Sequence, residues 1–231
     1  MPVTMNLKIR RALFAVVPAL VLLVGLGVWQ LQRLAWKQGL IASIAAGEAA
    51  APVPLPATIT DATALAFRRL VAEGTFDHGK ESYYGAAVRG RDGGPFVLTP
   101  LLRPGAPAVL VLRGFVREGS TTHDRPEGVV SVTGFAHPGS QGGFFTPEAN
   151  LQTRRFFALD IPLIARAMGL DEVAPIVLVA LGSPDQRPMP EQALPKPANP
   201  HMGYAITWFG LALALLAVFG VWARRTLRED A

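Results

Sequence analysis

His201, Tyr204 and Trp208 follow one another at i, i+3 and i+7, the spacing of one helical face. A neutral imidazole on that stripe offers its lone pair to a metal or haem iron. A second set lies far upstream in GVWQLQRLAWK at 27–37, where Trp29, Arg33 and Trp36 share a face and Gln30 sits beside them. Both sets also fit an interfacial belt, with tryptophan and tyrosine at headgroup depth and arginine and lysine reaching for water. Gln30 fits the belt less well, because an amide at a membrane edge more often faces another helix or a ligand. From the residues alone, the two readings stand side by side.

Other polar candidates carry less. His78, His123 and His137 lie in or beside strand and turn segments without a partner at metal-ligand spacing, and read as surface residues. Ser82, Ser131 and Ser183 lack the context of a nucleophile, and no Walker loop, dinucleotide fingerprint or HExxH occurs. No enzymatic chemistry is expected. With no cysteine, disulfides, zinc thiolates and thiolate copper sites are excluded, and Met202 beside His201 is the one soft donor near a histidine. Arg113 closes the apolar run VLVLRGFV. It is expected to form a strand-end salt bridge, with Glu118 or Asp160 as partner, or to offer its charge to a carboxylate.

Two uncharged apolar runs must position these residues: Ala12 to Trp29, and Met202 to Ala223. Each is close to the ~20 residues that cross ~30 Å of hydrocarbon as a helix. For the first run a signal peptide is the alternative, given Lys8, Arg10 and Arg11 before it and the small residues of IASIAA after it. Its apolar part is longer than a signal's, and it continues as WQLQRLAWK rather than breaking. Between Leu34 and Gly203 fifteen Lys/Arg meet fifteen Asp/Glu, so the net charge of +5 sits at the chain ends and is no nucleic-acid signal. Basic residues outside both runs predict cytoplasmic termini. The expected order is a cytoplasmic segment 1–11, a first span 12–31, a periplasmic domain 32–200, a second span 201–223 and a cytoplasmic segment 224–231. Eleven residues before the first run are too few for a mitochondrial transit peptide, so a bacterial inner membrane is expected.

The middle of the chain reads as short β-branched and aromatic runs separated by Gly, Pro, Asp and Ser: LVAEGTFDH, ESYYGAAV, PFVLTPLL, PAVLVLRGFV and GVVSVTGFAH. DATALAFRRL, capped by Asp61, and LDIPLIARAMGL at 159–170 are predicted helices; APIVLVAL at 174–181 is a predicted buried strand. Asn199 and Pro200 suit the start of the second span. SPDQRPMPEQALPKPANP reads as an extended tether, and 140–158 has no clear period. The expected architecture is a membrane protein in which two transmembrane helices, a hairpin, flank an α+β extramembrane domain of mainly antiparallel strands.

In this order the segments resemble the Surfeit-locus cytochrome c oxidase assembly family. GVWQLQRLAWK looks like its G-x-W-Q-x-x-R-x-x-W-K segment; FVLTPL at 96–101 with VLVLRGFV at 109–116 looks like its central TPL…RGW-V block. FFTP at 144–147 and the Asp160 region match the stretch before its last strand, and PHMGYAITWFGLAL at 200–213 matches its closing H-x-x-Y-A-x-T-W segment. The family commonly has tryptophan where Phe115 stands and often another at the position of Phe156 or Phe157, so indole hydrogen bonds there are lost. The resemblance implies a factor that binds haem a at the two transmembrane helices and assists its insertion into oxidase subunit I. It implies His201 as the iron ligand, accompanied by Trp208, Tyr204, Trp29, Gln30 and Arg33, with Thr207 at a further polar position. Implied partners are subunit I, the haem a synthase and membrane lipid. The alternatives are a scaffold of the same family that binds oxidase subunits without haem, a copper carrier, against which the missing cysteines count, and a membrane-bound hydrolase, which lacks a nucleophile motif.

Overall fold

The computed structural model describes residues 7–120 and 122–229. In chain order the elements are helix α1 (Leu7–Ala49), strands β1 (Val53–Pro54), β2 (Arg69–Phe76), β3 (Ser82–Arg89), β4 (Asp92–Arg103), β5 (Ala106–Phe115), β6 (Val129–His137) and β7 (Arg155–Phe156). Helix α2 (Ile161–Met168), strand β8 (Val173–Ala180) and helix α3 (His201–Glu229) follow. The chain forms two compact units: Ser43–Pro195 is one, and the segments on either side of it form the other.

The Ser43–Pro195 unit is built on a sheet ordered β1-β2-β6-β8-β5-β4-β3-β7. An additional pairing, Thr75 with Leu102 and Phe76 with Leu101, joins β2 to β4 and closes β2, β6, β8, β5 and β4 into a small barrel. Closure gives the inward side chains one dry interior. Leu70, Val109, Val111, Ala136, Ile176 and Leu178 pack there with no exposed surface.

The sheet is mixed, which refines the expectation of mainly antiparallel strands. β1 pairs parallel to β2, β7 to β3 and β8 to β5. The physical reason lies in the connection: β8 re-enters beside β5 only after a long crossover that includes α2, and such crossovers join parallel strands. β8 is almost continuously buried, as a parallel strand covered on both faces must be. Asp160 caps α2 by accepting from Leu163 N–H at 3.1 Å, and Gly169 ends it in the left-handed conformation.

Two further expectations need correction. DATALAFRRL forms turns rather than a helix: Asp61 Oδ1 does accept from Thr63 N–H and Ala64 N–H, but Phe67 swings to a left-handed φ and donates its N–H to Ala136. Pairing with β6 wins over helix propensity. SPDQRPMPEQALPKPANP is not a free tether either. Met189 and Phe115 exchange both backbone hydrogen bonds, Glu191 pairs back to Ala180 and Gly182, and Pro188, Pro190 and Leu194 are buried. The interval 140–158 holds turns and β7, and ends with Phe156 buried in the sheet unit.

In the other unit, α1 and α3 are each long and apolar enough to cross a membrane.

Candidate functional site

The helices of the two-helix unit meet along seven-residue repeats. On α1, Ile9 and Gln30 are buried, with Val16 and Leu23 half-buried at the same spacing between them; on α3, Ala205, Ala212 and Thr226 are buried, with Phe219 at the intervening place. A repeat of seven is the signature of two helices packed at a shallow crossing angle. Gly27 permits the approach: a Cβ there would lie 2.6 Å from the Phe209 ring.

The polar residues enter this contact at one point. His201 Nδ1 lies 2.7 Å from Gln30 Oε1, an imidazole N–H donating to an amide carbonyl across 171 residues of sequence. Gln30 is buried and His201 half-buried. With Nδ1 carrying the proton, Nε2 keeps its lone pair, and it has no hydrogen bond among the described residues. Histidines that bind metals are commonly held in this way by an outer partner on the second ring nitrogen.

The remaining expected site residues distribute around that bond. Trp29 (52% exposed) and Tyr204 (54% exposed) lie on outward faces of their helices, and Trp208 is half-buried. The Arg33 guanidinium stacks on the Trp36 ring at 4.1 Å, a cation–π contact. Among the described residues no ring–ring contact joins Trp29 to Trp208. The Thr207 hydroxyl is taken by the carbonyl of Gly203, one turn back. Asn199 does not cap α3: its buried Oδ1 has no partner among the described residues, and Gly203 and Tyr204 N–H turn instead to the carbonyl of Pro200.

A second polar centre lies inside the sheet unit and was not foreseen. Glu81, just before β3, accepts from Arg125 Nη2 at 2.9 Å and His123 Nε2 at 3.0 Å, with Arg113 Nη1 at 3.6 Å. Arg113 Nη2 also donates to the carbonyl of Asp124, and its guanidinium covers the Phe76 ring at 4.8 Å. The side chains of Glu81 and Arg113 are each 7% exposed and that of His123 is 0% exposed. Burial alone would raise the Glu81 carboxyl pKa; the hydrogen bonds and charges of Arg125 and His123 outweigh it and hold it below its ordinary value. For Arg113 burial dominates and lowers the pKa, opposed by Glu81.

These contacts correct two expectations. His123 is a buried residue, not a surface one, because the Glu81 carboxylate supplies its partner. Arg113 pairs with Glu81 because both expected partners are engaged elsewhere: Glu118 takes Arg155 in a two-bond pair, and Asp160 caps α2. His78 and His137 are half-buried rather than surface residues: His78 reaches the carbonyl of Pro126, and His137 Nδ1 accepts from Gly139 N–H. The rest of RGFV is also explained. A Cβ on Gly114 (φ +149°) would collide with the Met189 carbonyl, and Phe115 packs edge-on against Phe96 with centroids 6.2 Å apart. No local signal points from Glu81 to His123, which is 42 residues away.

Comparison with known proteins gives a consistent result. Residues 17–213 match the SURF1 family. Surfeit locus protein 1 of Homo sapiens is 30% identical, over 88% of this chain and 74% of the relative. That of Rattus norvegicus is also 30% identical, over 89% and 72%. A SURF1-like protein of Rickettsia conorii is 26% identical over 94% of this chain and 93% of its own length.

Proposed function

This chain belongs to the SURF1 family, and from that premise we propose that it is a membrane-anchored assembly factor for haem–copper cytochrome c oxidase, which holds haem a at its two apolar helices and assists insertion into subunit I. In this reading α1 and α3 span a bacterial inner membrane as a hairpin, both termini are cytoplasmic and the sheet unit is periplasmic. Subunit I receives the cargo, and the haem a synthase is the natural donor.

The observation that carries the haem reading is the His201–Gln30 hydrogen bond. In the neutral imidazole it leaves the Nε2 lone pair free, and in a membrane it would spare both polar groups an unpaired state in lipid. Haem a would supply the iron, a flat apolar ring and two carboxylates. His201 would hold the iron; Gln30 orients His201; Trp29, Tyr204 and Trp208 offer aromatic surface; Arg33, whose guanidinium stacks on Trp36, is the cation for a carboxylate. A carrier needs no covalent step on its cargo, and a hold on the iron by His201 alone would let the cargo leave.

The test is a reduced-minus-oxidised spectrum of the full chain, purified in detergent from cells that make haem a. A stoichiometric haem band is expected for the wild type and its loss for His201→Ala, with an unchanged melting curve. Stoichiometric haem in both would remove His201 from the role. Haem in neither, with assembly of the oxidase still dependent on the protein, would favour a scaffold that binds subunits alone. A reporter fused after Ala231 should be active only on the cytoplasmic side.

A further inference from the structure

One edge of the barrel is left open beside a groove lined by arginines. β6 pairs with β2 from Val129 to Phe135, but with β8 only from Gly134 onward. The last bond on the β8 side runs from Leu181 N–H to the Thr133 carbonyl, after which the chain turns away. Alternate residues of an antiparallel strand direct their backbone groups to alternate sides. Thr133 bonds toward β8, so Ser131 and Val129 present N–H and C=O on that same side, where no strand follows. Both residues are exposed, and among the described residues no hydrogen bond from outside the sheet reaches Ser131.

The open edge forms one bank of a groove of about 670 Å³, which Gln186, Arg187, Pro188 and Pro190 also line. Arg113, Arg125 and Arg187 line it, against a single lining carboxylate, Asp124. Counting Glu81 behind the groove, three guanidinium groups face two carboxylates, an excess of one positive charge. Arg187 spends its Nη1 on the carbonyls of Pro184 and Gln186 and has no acidic partner among the described residues. Arg113 Nη1 is buried without a hydrogen bond, Glu81 lying beyond bonding distance.

We propose that this edge receives an extended acidic segment of a partner polypeptide as an added strand. The partner backbone pairs with Ser131 and Val129, and its Asp or Glu side chains meet the exposed guanidinium groups of Arg125 and Arg187. Strand addition supplies affinity through main-chain hydrogen bonds, and the charges supply selection. Five residues of β6 span roughly 17 Å, room for a partner strand of about five residues. The site is separate from the helix pair, so its occupancy does not depend on haem.

The test begins with dodecapeptides displayed on phage and selected on the full chain in lipid nanodiscs. Enriched sequences are expected to carry Asp or Glu within a β-branched run. The best peptide, labelled for anisotropy, should then bind about tenfold more weakly to Ser131→Pro, which removes the free edge N–H, and to Arg187→Glu. Both variants should melt as the wild type does. An N-methylated form of the same peptide should fail on the wild type, so the result does not rest on the proline variant folding. The proposal is overturned by a selection without enrichment, by peptides lacking acidic residues, or by binding indifferent to N-methylation. Arginine-dependent binding to phosphatidylglycerol vesicles with no peptide binding would also overturn it.

Discussion

His123 and His201 each rest on one side-chain hydrogen bond from a residue distant in sequence, and they differ in what accepts it. His123 lies fully inside the sheet unit against Glu81, a carboxylate shared with two arginines. Its second ring nitrogen is buried without a partner, so no ligand can reach it. His201 is half-buried between two helices against Gln30, a neutral amide, with Nε2 free. An ionised partner makes the first imidazole part of a charge cluster whose members depend on one another. An amide partner orients the second and asks nothing of its charge. The same side chain is thereby structural in one unit and available to a ligand in the other.

The strongest way to break this contrast is to remove the two acceptors. Glu81→Leu leaves Arg113 buried without its counter-charge and is expected to cost the sheet unit about 3–5 kcal/mol, read as a fall in the urea midpoint of the β-sheet circular dichroism signal. His201→Ala should change the stability of that unit by no more than about 0.5 kcal/mol. Equal midpoints for Glu81→Leu and wild type would mean that the buried cluster is not what holds β3 and β5 in place.

A smaller loss is expected from Gly114→Ala. The added methyl meets the Met189 carbonyl at a φ that side chains rarely adopt. About 1–3 kcal/mol should be lost, together with faster proteolysis at 182–191 as that segment detaches. Unaltered cleavage would separate Gly114 from the docking of Met189.

The helix pair is tested by Gln30→Leu, an apolar exchange that removes the amide and with it the acceptor for His201. Haem affinity is expected to fall about 10–100-fold while the melting curve stays put, and Gln30→Glu should recover part of the loss. A Leu variant that binds haem like the wild type would leave the imidazole orientation to packing.

The smallest effect is on pH dependence, and it belongs to the sheet unit. Burial holds His137 below its ordinary 6.5, and its Nδ1 accepts from Gly139 N–H. The unfolded chain therefore takes up that proton first, and stability begins to fall as pH drops below about 6.5. Glu81 adds a second decline: its pKa lies below the ordinary 4.5, so its contribution is present above that value and is lost as pH falls through the folded one. His137→Gln should remove the first decline and leave the second. A stability curve flat from pH 7 to pH 4 would contradict both shifts.

The sequence determined the elements whose pattern is local. Two uncharged runs announced helices able to cross a membrane, β-branched runs between turn residues announced the strands, and the helical spacing of apolar residues in LDIPLIARAMGL announced α2. It also put His201, Tyr204 and Trp208 on the page, and it made Gln30 conspicuous as an amide among apolar neighbours. Periodicity reports which face of an element is buried, but not what buries it. So the closure of β2 onto β4, the parallel entry of β8 beside β5 and the docking of Met189 against Phe115 came only with the tertiary structure, as did the loss of the helix at 61–70 to pairing with β6. The same holds for both histidines. Glu81 finds His123, and Gln30 finds His201, because strands and helices far apart in sequence pack together, and no local pattern records which distant side chain that packing will bring.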